Sequence, residues 1–274
     1  MNRFIIALPL AFVFASCGPK PQPAEETKPA AVTVAKLAVE TNDHKMTVAW
    51  QKQGSGAISG YNVYIANEAA DNHKNQDDVK PYNDVPFPGD TNPDDGIEHY
   101  VAGDLENGVK YHVWVRVVYP DGSLSAPTGE MTAMCGPKGE IELDYRHKGD
   151  HDGFSFEQNE YVDASSIDND VYFYAIDGVD YLASPSRLDG FINHSQLIVV
   201  KLAGDYEALT RSLMTNKVTP TDDRAAVKAR DWVLVKTQRG SYALLHVLSF
   251  SGEGEKRRVK LSYAYHVIVG DSQT

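Results

Sequence analysis

The 274-residue chain is short of sulfur, of positive charge and of long apolar runs. Its two cysteines, Cys17 and Cys135, are too few for a scaffold stapled by several disulfides. Lys and Arg number 26 against 38 Asp and Glu, giving a formal charge of −12. Such a surface repels phosphate backbones, so nucleic acid is not an expected partner. No apolar stretch reaches the roughly 20 residues of a membrane-crossing helix. Familiar catalytic signatures are also missing: there is no G-x-S-x-G elbow, H-E-x-x-H helix, P-loop or G-x-G-x-x-G after a strand. No cofactor is expected from motifs.

What is present begins at the N-terminus. A single Arg3 precedes "FIIALPLAFVFA", which has the length of a signal-peptide core. The run stops at "FASC", with small Ala15 and Ser16 ahead of Cys17. This stretch resembles the lipobox of bacterial lipoproteins, although Phe14 stands where Leu is commonest. The resemblance implies cleavage after residue 16, lipid on Cys17 and the lipid membrane as a partner. Gly18 follows where Asp would suggest inner-membrane retention, so the expected location is the cell envelope, on the outer membrane. The next residues, "GPKPQPAEETKPAA", hold no large apolar side chain and cannot offset the entropy of ordering. Residues 17–32 are expected to form an extended tether. If Cys17 carries lipid, Cys135 has no disulfide partner.

From Thr33 to Met134 the chain reads as short strands broken by turn clusters. Met46, Val48 and Trp50 alternate, as do Tyr61, Val63 and Ile65, and Tyr111, Val113, Val115 and Val117. Strands at this spacing with no helix between them predict a β-sandwich. "GYNVYI", "DLENGVKYHVWVRVV" and "DGSLSAPTGEMTA" resemble the third, penultimate and closing strands of fibronectin type III domains. That resemblance implies a structural core of Trp50, Tyr61, Leu105 and Tyr111, with Tyr111 as the tyrosine corner. It implies a spacer or protein-binding module with no catalytic centre of its own. An acidic, Pro-rich stretch between Ile65 and His99 exceeds a normal connection and reads as a surface insertion. Tyr82 and Phe87 could make contacts there, and its aspartates could meet calcium, though no EF-hand spacing occurs.

"CGPKG" is the expected linker, residues 135–139, with Cys135 at the surface or the junction. Residues 140–274 are again strand-rich, and an antiparallel β domain with one or two short helices is expected. "DYEALTRSLM" puts Tyr206, Leu209 and Leu213 on one helical face; "TDDRAAVKAR" begins with Thr221, an acceptable N-cap. "DWVLVKTQRGSYALLHVLSF" followed by "RRVKLSYAYH" weakly resembles exported haemophore-like lipoprotein domains. No haem ligand carries over, and His194, His246 and His266 are candidates by residue type alone.

Three groups in this second region could carry chemistry. "HKGDHD" brings His147, Asp150, His151 and Asp152 together as potential metal ligands, or as a hydrated loop. Tyr172, Tyr174 and Tyr181 could form a carbohydrate platform, or pack a sheet. The carboxylates from Asp150 to Asp170 could supply a glycosidase pair, or simply reflect an acidic chain. The function expected is a non-enzymatic binding or scaffolding lipoprotein whose partner is an envelope protein or glycan. The alternatives are capture of haem, metal or glycan by the C-terminal domain, with His147, His151, Tyr172, Tyr174, Tyr181 and His194 as contacts, and a carboxylate-dependent glycoside hydrolase.

Overall fold

The computed structural model describes residues 31–67, 79–90, 96–187, 194–201, 206–216 and 218–270. Cys17, the apolar run before it and the tether as far as residue 30 lie outside the described residues, as does most of the insertion's acidic portion. The architecture is mainly β. Among the described residues no helix is long and apolar enough to cross a membrane.

The first unit is a sandwich of two three-stranded antiparallel sheets. One holds β1 (Thr33–Asn42), β2 (Lys45–Gln53) and β4 (Ile97–Ala102) in the order β1-β2-β4. The other holds β3 (Gly60–Ala66), β5 (Lys110–Val118) and β6 (Met131–Met134) in the order β3-β5-β6. Period-two alternation sends Met46, Val48 and Trp50 inward from one sheet to meet Tyr61, Val63, Val113, Val115 and Val117 from the other. Trp50 is fully buried, and its ring meets Tyr61 edge-on at 5.1 Å. Leu105 is buried, and the Tyr111 hydroxyl accepts the Glu106 N–H at 2.9 Å, tying the corner before β5. Pro127 has no N–H to donate, and around it side chains replace the ladder. The Ser125 and Thr128 hydroxyls accept the Val117 and Val115 N–H groups at 2.9 and 3.0 Å.

Residues 79–90 of the insertion are built into this sandwich. Phe87 exchanges both backbone bonds with Tyr61 at the free edge of β3. The buried Asn83 side chain accepts the Val63 N–H at 2.7 Å and donates to the carbonyls of Tyr61 and Val85. The insertion covers an edge that would otherwise expose unpaired backbone. Phe87 also packs against Trp50 and Tyr100, so its ring is spent on the core and not displayed.

The second unit is a larger sandwich. Its strands are β7 (Lys138–Asp144), β8 (Gly153–Ser155), β9 (Glu160–Val162), β10 (Val171–Ile176), β11 (Val179–Ala183), β12 (Gln196–Val200), β13 (Arg224–Ala226), β14 (Trp232–Lys236), β15 (Tyr242–Ser251) and β16 (Arg258–Tyr265), with helix α1 (Tyr206–Thr215) after β12. One sheet runs β12-β14-β15-β16-β7 and the other β13-β11-β10-β8-β9. Phe154, Phe156, Phe173, Leu182, Val235 and Leu245 fill the space between them. Helix α1 seats Leu209 and Leu213 on the outer face of the first of these sheets, against Leu234, Leu244 and Ala264. The stretch after Thr221 is not a helix. Arg224–Ala226 pairs with β11 as β13, and Ala225 and Val227 alternate into the core. Over so short a segment sheet pairing outweighs the helical bias of Ala and charged residues.

The junction is close-packed. Cys135, Gly136 and Pro137 are all buried, so Cys135 sits at the junction and not at the surface. Its thiol lies 3.3 Å from the Lys45 carbonyl, and burial pushes its pKa up to about 11. An unreactive thiol follows. Gly136 donates to the Asn42 carbonyl at 3.2 Å, while the Pro137 carbonyl accepts from Tyr265 at 2.9 Å. Three residues thus bond to both units.

Candidate binding site

The acidic stretch Asp150–Asp170 is folded by its own carboxylates. Asp152 is buried; its two oxygens accept the N–H groups of His147 at 2.6 Å and Ala164 at 2.9 Å. Asn169 accepts from Phe154 and Val171. Asp170 accepts the Phe156 N–H at 2.9 Å, with the Ser195 hydroxyl at 3.4 Å. These side chains satisfy strand ends that the short β8 and β9 leave open. His147 and His151 are exposed; the His151 ring stacks on Tyr161 at 3.9 Å. Among the described residues no group of three His, Cys, Asp or Glu converges to hold a metal ion. Within "HKGDHD", Asp152 is committed to backbone donors.

Glu157, Asp168 and Asp170 do meet, with Arg239 and Tyr265, around a crevice of about 10 Å³. Arg239 lies 3.4 Å from Glu157 and 3.9 Å from Asp168. The Tyr265 hydroxyl donates to Glu157 at 2.9 Å. Burial pushes Asp170 up to about 6, against the pull of its hydrogen bonds and of Arg239. The space suits a single water and not a sugar ring.

The outer face of the β10–β11 pair carries the predicted tyrosines. Tyr172, Tyr174 and Tyr181 share it and pack on one another, the first two buried and Tyr181 half-buried. Tyr174 stacks on its cross-strand partner Tyr181 at 5.2 Å and 15°. Arg146 lies over Tyr174 at 5.1 Å, and Arg224 over Tyr181 at 4.9 Å. Arg224 also donates to the Tyr174 hydroxyl at 3.0 Å. The result is a guanidinium–ring–ring–guanidinium ladder. Tyr172 and Tyr174 are buried, so the stacking faces a sugar would need are already occupied. Of the two readings of the alternating tyrosines, platform or sheet packing, this arrangement is packing.

The histidines do not converge. His194 is exposed just before β12. His246 stacks on Trp232 at 4.2 Å across β14 and β15, and its burial lowers its pKa. His266 rests on Tyr265 at the junction, where burial also lowers it.

A larger opening lies at one end of the second unit, a groove of about 510 Å³. Two hairpin tips form it, one from each sheet. The β10–β11 turn is Asp177-Gly178, both with positive φ, the conformation of a tight two-residue hairpin. The β15–β16 turn contributes Glu253, Gly254, Glu255 and Arg257. Tyr145, Ala175 and Ile176 line the groove between acidic rims. Arg257 bridges the tips, donating through Nε and Nη2 to both oxygens of Asp180 at 2.6 Å. Strand β7 begins at the junction and ends at Asp144, opposite Arg258, so the groove lies at the end of the unit farthest from the first. Sequence reasoning missed these residues. The Asp-Gly pair was the local signal for one tip, but nothing local shows that a second tip meets it.

Comparison with known proteins places one part of the chain. Residues 30–132 match the model of the fibronectin type III domain, so the first unit is a domain of that kind. No curated protein matches the chain. Among solved structures, the family 28 exopolygalacturonase of Yersinia enterocolitica is 15% identical over 44% of this chain and 23% of that enzyme, at a TM-score of 0.23. The chain thus spans less than a quarter of that enzyme's length.

Proposed function

We propose that the protein is an envelope lipoprotein, anchored through Cys17, whose fibronectin type III domain lifts a second sandwich clear of the membrane to bind a partner. The observation that carries this reading is the position of the groove. Anchor and tether enter at the start of the first unit, and the groove opens at the opposite extreme of the chain, where a partner arriving from outside meets it first. Its volume falls within the roughly 300–1,000 Å³ of ligand-binding pockets. The crevice at Asp170 has room for about one water, so the groove is the larger of the two openings a partner could enter.

The test combines both ends. Labelled palmitate is expected to enter the wild type and not Cys17→Ser, which should be released in soluble form. The soluble form should bind an envelope protein or glycan fraction, and Ile176→Arg, which crowds the groove from an exposed position, should lose that binding. Equal labelling of the two forms removes the anchor from the proposal. Binding unchanged by Ile176→Arg removes the groove.

A further inference from the structure

We infer that the groove takes a basic, partly apolar peptide segment of a partner protein. This rests on the reading of the groove as the binding site and names the chemistry of what enters it. Four carboxylates surround it: Asp177, Asp180, Glu253 and Glu255. Two are neutralised, Asp180 by Arg257 and Glu255 by Lys148 at 2.9 Å. Asp177 and Glu253, one on each tip, form no ion pair among the described residues; Glu253 acts on Arg257 only through space, and Arg257 is already paired with Asp180. The groove therefore keeps a negative charge on both rims, inside a chain of net charge −12. Field lines from both sources favour a cationic guest.

The second independent feature is apolar. Ile176 is 51% exposed and Val179 39%, two of the few large hydrophobics left in water. They pair across the same turn, where Ile176 lines the groove with Tyr145 and Ala175 and Val179 lies just outside the lining. A floor of this kind gains from covering an aliphatic or aromatic side chain. An inorganic cation would not use it, and no three ligands converge to hold one among the described residues. An ammonium alone would leave most of about 510 Å³ empty. A segment with Lys or Arg flanking an apolar residue satisfies both rims and the floor.

Fluorescence anisotropy on the full mature chain tests this with three labelled peptides of equal length: alternating Lys and Leu, alternating Glu and Leu, and all Lys. The Lys–Leu peptide should bind at least about tenfold more tightly than either of the others. Its affinity should fall several-fold between ~20 and ~150 mM salt, as the screening length shortens to about 8 Å. The pair Asp177→Asn and Glu253→Gln should weaken it at least fivefold. Asp104→Asn with Glu106→Gln, an equal charge change in the first unit, should not. If all-Lys binds as tightly, or the two charge pairs act alike, the attraction is that of the whole acidic surface and the inference falls. If no peptide binds while Ile176→Arg still abolishes binding of the envelope fraction, the groove stands as the site and only the basic-peptide chemistry is wrong.

Discussion

Asp170 is a carboxyl whose burial works against the fold at neutral pH. Folding raises it from the ordinary 3.8 to about 6, with burial the main cause. Between those values the folded chain binds more protons than the unfolded one, so this group's contribution to stability falls as pH rises through that window. The cost at neutral pH is on the order of 2–3 kcal/mol. Asn has the shape of the protonated acid and no charge to desolvate. Asp170→Asn should therefore leave stability nearly unchanged near pH 4 and raise it at pH 7–8, read as a urea midpoint advantage that grows with pH. An advantage independent of pH would show that Asp170 is not the titrating group. The half-buried His246 and His266 have the opposite sign. Folding lowers His246 and His266, so their neutral forms support the fold above the ordinary value of 6.5 and that support is lost on acidification below it. Wild-type stability in mild acid is a balance of the two, which the Asp170→Asn series separates.

At the scale of elements, the insertion shows how one polar side chain can close a sheet. Asn83 satisfies a donor and an acceptor on the β3 edge and an acceptor within the insertion itself. Asn83→Ala leaves the buried Val63 N–H without a partner, at a cost of about 1–3 kcal/mol. Hydrogen exchange should show it as faster loss of the Val63 amide, with the Val115 amide on β5 still protected. Unchanged exchange at Val63 would show that the edge is held by Phe87 alone. This element also marks the limit of what the sequence discloses. Alternation in "KMTVAW", "GYNVYI" and "KYHVWVRVV" displays the strands directly, because each strand has one face buried between two sheets. The same holds for α1, whose apolar side chains recur at helical spacing. The edge cover has no period: it depends on one Asn and one Phe inside a stretch of turns. The strand β13 was hidden for a related reason, since three residues hold too little local pattern to compete with composition. The groove is least legible of all. Its two tips are about 75 residues apart in sequence, and what makes them a site is a meeting that only the sheet packing arranges.

At the scale of the molecule, the question is how firmly two sandwiches are joined by three residues. Gly136 is the tightest point. A Cβ added there would fall against the carbonyl oxygen of Tyr265, which is backbone and cannot swing aside. At Gly108 an added Cβ would meet the His266 ring at 2.7 Å, so the first unit approaches the second there as well. The two hydrophobic cores remain separate clusters, with Trp50 and Val115 in one and Phe173 and Leu245 in the other. Each core can therefore hold its own fold while the junction governs their relative placement. Gly136→Ala should force Tyr265 and the Asn42 turn apart. The amides of Tyr265 and of position 136 should exchange at least tenfold faster, while the Val235 and Val115 amides keep their protection. Small-angle scattering should show a larger radius of gyration for the variant, as the second unit gains freedom about the first. Equal loss of protection in both cores would instead show that the sandwiches fold as one body and that the junction is part of a shared core. The outcome bears on binding, because a rigid junction fixes the groove at a set height above the tether, whereas a loosened one lets it search.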